Sequence, residues 1–101
     1  MTNAIEAGQA ADALRQLALM LDAGAPPEKI LGQLGWLVRA KFPTDYVSSA
    51  VQDVFRTDLA LKRSAGDPRV LLERLVVELC GKKRGLHQAL REASRADRRP
   101  L

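Results

Sequence analysis

At 101 residues, with 47% apolar and only 4% aromatic side chains, the chain is long enough for one small domain whose core must be aliphatic. A single cysteine, Cys80, and a single histidine, His87, exclude an internal disulfide framework and a zinc-type ligand cluster. The net charge of +4 is uneven: residues 81–101 hold seven basic side chains against two acids, which leaves a near-neutral body with a basic end rather than a basic domain.

The N-terminal MTNAIEAGQAADALRQ has no basic start followed by an unbroken apolar stretch, and no apolar span of membrane length occurs later. The expectation is a soluble, cytoplasmic protein without a membrane partner. From Ala10 to Ala23, Leu14, Leu17, Ala18 and Leu21 mark one face of a first helix, which Gly24 closes. Pro26-Pro27 opens a second, in which Ile30, Leu31, Leu34, Leu37 and Val38 keep the helical period to Lys41. Trp36 stands off that stripe. Gly32 and Gly35 each weaken a helix by up to about 1 kcal/mol, so they predict close packing against a neighbour. Phe42-Pro43 breaks the run, and Thr44 or Asp45 is placed to cap a third helix. That helix is apolar on more than one side through Tyr46, Val47, Ala50, Val51, Val54, Phe55, Leu59 and Leu61.

The stretch SAGDP then joins a stop to a start: Gly66 suits the left-handed C-terminal position, Asp67 can cap, and Pro68 fits the first turn. Leu71, Leu72, Leu75, Val76 and Leu79 carry a fourth helix, which Gly81 is expected to end. LHQALREASRAD is the candidate for a short fifth. No alternating strand pattern occurs. The fold class is therefore all-α, a small antiparallel bundle of four helices plus the short fifth, with a domain over residues 1–81 and a basic tail over 82–101. Leu17, Leu21, Leu34, Leu37, Val51, Val54, Leu72, Leu75 and Leu79 are expected in its core.

Catalytic chemistry finds no foothold. No phosphate-cradling glycine loop is present, the acids are scattered singly, and Cys80 at the end of an apolar helix reads as a small buried hydrophobe. No catalytic, cofactor-binding or metal residue is assigned, and no small-molecule substrate is expected. Asp58 and Lys62, four apart, form a surface pair in one reading. In the other, Asp58 is partly buried beside the apolar row and pairs with Arg39 of the preceding helix, while Asp53 stays in solvent.

The two blocks LRQLALMLDAGAPPEKILGQLGWLVR and DLALKRSAGDPRVLLERLVVEL together resemble the C-terminal domain of the delta subunit of the bacterial DNA polymerase III clamp loader. The resemblance rests on Gly24, the prolines, Ile30-Leu31, Leu34 and Arg39 in the first block. In the second it rests on Asp58, Leu61, Lys62, Gly66, Asp67, Arg69, Leu72 and Glu73. Between Arg39 and Asp58 the chain is shorter than that family commonly is, and the family's two ATPase-like domains are not among these 101 residues. The chain is thus either a piece of a delta subunit or a free-standing copy of its last domain.

The resemblance implies a segment of a helical collar that docks with other clamp-loader subunits in DNA replication, with DNA approached indirectly, or weakly through the basic tail. Trp36, Phe55, Leu59, Leu71 and Val76 are the candidate interface residues, since apolar side chains on a second helix face need a partner. The alternative is a small nucleic-acid binder acting through its tail, with Lys82, Lys83 and Arg84 as the contacts.

Overall fold

The structure, a computed structural model, describes the backbone of residues 1–97 and the side chains of residues 1–94. Arg98 and Arg99, assigned above to the basic tail, lie outside the described residues. The fold is all-α. Among the described residues there are five helices: α1 (Thr2–Glu6), α2 (Ala10–Asp22), α3 (Pro27–Lys41), α4 (Thr44–Lys62) and α5 (Pro68–Asp97). The long α5 is the spine, packed by all four of the others, and α4 lies between α3 and α5.

Ile5, Leu17, Ile30, Leu34, Leu37, Leu72, Leu75 and Leu79 are fully buried and form one aliphatic core. Of the expected core residues, Leu21 and Val54 sit at its margin and Val51 is exposed. The reason lies in how α4 is rolled. It buries Ala50, Asp53 and Thr57, small or polar residues that let the helix approach α5, and this turns the Val51–Phe55 side outward.

The helix ends follow local chemistry. After α2, Gly24 adopts φ 91° while its N–H bonds to the Leu21 carbonyl and the Ala25 N–H reaches the Met20 carbonyl. This double closure satisfies the last carbonyls of the helix. The same pattern closes α4, but the left-handed residue is Ser64 at φ 52°, not the expected Gly66. Asp67 does cap α5, its Oδ1 accepting from the Arg69 N–H at 2.8 Å, with Pro68 at the first position. Neither Thr44 nor Asp45 caps α4. Pro43 holds the cap position in extended conformation, and no side chain bonds there.

Two expectations about helix number change. Residues 2–6, assigned to no helix above, form α1, which buries Ala4 and Ile5. Gly81 does not end the fourth helix: α5 runs 30 residues straight through it, so the anticipated fifth helix is its C-terminal part. The buried face continues as Val76, Leu79, Cys80 and Lys83 across the glycine, which itself points to open space. Packing thus overrides a local cost of about 1 kcal/mol.

Candidate functional site

Because α3 and α4 meet through Gly35 and Val54 rather than through paired leucines, a groove remains along their outer side. A Cβ at Gly35 would rest 3.8 Å from Val54, while Gly32 faces open space, so only one of the two glycines marks a close approach. The groove encloses about 370 Å³ between Leu31, Val38, Val51, Val54 and Phe55. Its charged edges are Glu28, Arg39 and Asp58. Phe55 is 59% exposed and Trp36, just outside on α3, is 56% exposed. Such aromatic exposure costs solubility in a lone domain and gains a purpose when a partner covers it.

Arg39 and Asp58 both border the groove but do not pair with each other. The Arg39 Nε–H donates back to the Gly35 carbonyl at 3.3 Å, and Asp58 accepts from Lys62 Nζ at 2.9 Å as a surface i, i+4 pair. The partner is thus that of the first reading, Lys62 and not Arg39, while the Asp58 side chain, at 33% exposed, keeps the partial burial of the second. Of the remaining motif residues, Arg69 donates to Asp22 Oδ1 at 2.5 Å, tying the end of α2 to the start of α5, and Glu73 is half-buried on α5. Among the candidate interface residues, Leu59 and Leu71 are half-buried. Val76 is corrected: it is fully buried within the core, because the roll of α5 that seats Leu72 and Leu79 seats it too.

The larger correction concerns Asp53, expected in solvent. Its side chain is 4% exposed and accepts from both Lys82 of α5 and Arg56 of its own helix, while the Thr57 hydroxyl donates to its backbone carbonyl at 2.9 Å. The signal was present in the spacing Ala50, Asp53, Thr57, which keeps a helical face of small and polar residues. Residue type alone concealed it.

The same contact takes Lys82 out of the tail. Lys83 is withdrawn as well: only 7% exposed, it donates from Nζ to the Lys41 carbonyl at 2.6 Å and stands 4.6 Å over the Phe42 ring. Of the three tail residues assigned to nucleic acid, Arg84 alone is exposed. Cys80 is fully buried and burial pushes its thiol up, against a smaller opposite pull from Arg84.

Among the described residues no group of three His, Cys, Asp or Glu side chains stands together, and no helix is long and apolar enough to cross a membrane. Comparison with protein-family models, with curated proteins and with solved structures gives no match.

Proposed function

We propose that this chain is a non-catalytic docking domain of the collar type, assembling with the other subunits of a DNA polymerase III clamp loader. The observation that carries the reading is the α3–α4 groove, an apolar surface with exposed Phe55 and Trp36 beside it and, among the described residues, no helix covering it. The two sequence blocks that resemble the delta-subunit domain give that surface a class of partner. Its edge charges, the acids Glu28 and Asp58 and the base Arg39, would fix the register of a docking helix more than they would add affinity.

The test is to mix the chain with the ATPase subunits of a matching clamp loader and follow the complex by size exclusion. A complex should form without ATP and persist at high salt, because apolar burial rather than exposed ion pairing holds it. Phe55→Glu should abolish it while the domain stays folded. A chain that binds none of those subunits, or a complex indifferent to Phe55→Glu, removes this reading.

A further inference from the structure

Beyond Cys80 the fold leaves α5 only partly covered, and its side chains divide sharply. At about 100° per residue, Arg84, His87, Gln88 and Arg91 fall within an arc of about 100° on one side of the helix. Leu86, Ala89 and Leu90 fall on the other. Arg84, Gln88 and Arg91 are exposed and His87 is half-buried. Together with the α1–α2 turn at Ala7 and Gly8 they line a concave surface of about 540 Å³.

The turn fits closely there: a Cβ at Gly8, whose φ is 71°, would lie 2.5 Å from Arg84 Cγ. The glycine therefore lets the base of the Arg84 side chain rest against the turn, so the basic face begins at a fixed point. One carboxylate, Glu92, borders the same surface.

We propose that this face of α5 binds the phosphate backbone of double-helical nucleic acid without reading its sequence. It is a surface separate from the α3–α4 groove and goes beyond the docking role. Arg84 and Arg91 lie two helical turns apart, about 10 Å, a length over which a duplex presents about six phosphates. Guanidinium groups match phosphate oxygens bidentately, and Gln88 and His87 supply further N–H donors between them. Arg95 follows Arg91 by four residues, on backbone that is still helical, and so extends the basic spacing.

Two features set the class of ligand. Helix α5 contains no Phe, Trp or Tyr, and its one ring, the half-buried His87, is a small platform for stacking single-stranded bases. Its opposite face in this region is two leucines and an alanine, too little apolar surface for stable insertion at a lipid interface.

The experiment is fluorescence anisotropy with a mixed-sequence 20-base-pair DNA duplex titrated with the whole chain at several salt concentrations. Contact with about three phosphates predicts a slope near −2.7 for log affinity against log salt, hence roughly 40-fold weaker binding at 200 mM than at 50 mM. The double substitution Arg84→Gln and Arg91→Gln should weaken binding at least 10-fold and reduce the slope by about 2. Arg91→Gln alone, at an exposed position, keeps the test independent of folding and should reduce the slope by about 1. Arg63→Gln, at the exposed end of α4, should change neither, and Glu92→Gln should tighten binding. An RNA duplex should bind comparably, since only backbone phosphates are contacted. The proposal is overturned by no duplex binding at 50 mM salt, by an equal loss in Arg63→Gln, by tighter binding to single strands than to duplex, or by capture on anionic vesicles without duplex binding.

Discussion

Asp53 holds α4 to α5 with charge, through Lys82. Its carboxylate is nearly closed off from water between Lys82 and Arg56, so deleting it leaves the partly buried Lys82 ammonium without its anion. Asp53→Ala should cost about 2 to 4 kcal/mol in urea unfolding. Asp58→Ala, which removes only a surface pair with Lys62, should cost less than about 0.5 kcal/mol. That order reverses the one suggested by hydrophobic pattern alone. Ser64 is the second residue with a measurable consequence. An L-residue held at φ 52° carries a penalty of about 1 kcal/mol that glycine does not. Ser64→Gly should therefore raise stability by a few tenths to 1 kcal/mol, read as a shift of the denaturation midpoint at unchanged slope.

At the scale of elements, the helical runs of α2, α3, α4 and the first half of α5 were legible because leucine spacing and the Gly24 and Asp67-Pro68 signals agree. Three things were not. Helix α1 is five residues long, too short to announce itself by period, and it exists because Ile5 is buried by packing. The roll of α4 was misjudged because Val51 and Phe55 look like core residues while Ala50, Asp53 and Thr57 do not. The continuation of α5 was hidden by Gly81, a local stop signal that Lys83 overrides from two residues away by being buried in the same face. This last point is directly measurable. Since a Cβ at Gly81 meets nothing, Gly81→Ala should stabilise the protein by about 0.5 to 1 kcal/mol and raise its helical circular dichroism signal slightly. Were Gly81 a left-handed stop, the same substitution would destabilise.

The whole molecule separates a surface that holds it together from a surface left over. Leu75, fully buried in the first third of α5, and Phe55, mostly exposed on α4, are of similar hydrophobic size and opposite consequence. Leu75→Ala should cost about 2 to 5 kcal/mol, a large share of the stability of a domain this small. Phe55→Glu should shift stability by less than about 1 kcal/mol while removing any assembly that depends on the groove. The docking groove itself was only half visible in the sequence. An excess of apolar residues on α4 was evident, but not that Gly32 and Gly35 of α3 open the space beside them.

Lys83 also makes the chain its own reporter for amine chemistry. An acylating reagent needs a free ammonium that can lose its proton and reach solvent. Lys29, Lys41 and Lys62 are exposed, whereas Lys82 is half-buried against Asp53 and Lys83 is shut beneath the Lys41 carbonyl and the Phe42 ring. Brief treatment with an N-hydroxysuccinimide ester should therefore mark Lys29, Lys41 and Lys62 first by mass spectrometry. Lys83 should be modified only as fast as the end of α3 separates from α5, which turns its labelling rate into a clock for that opening.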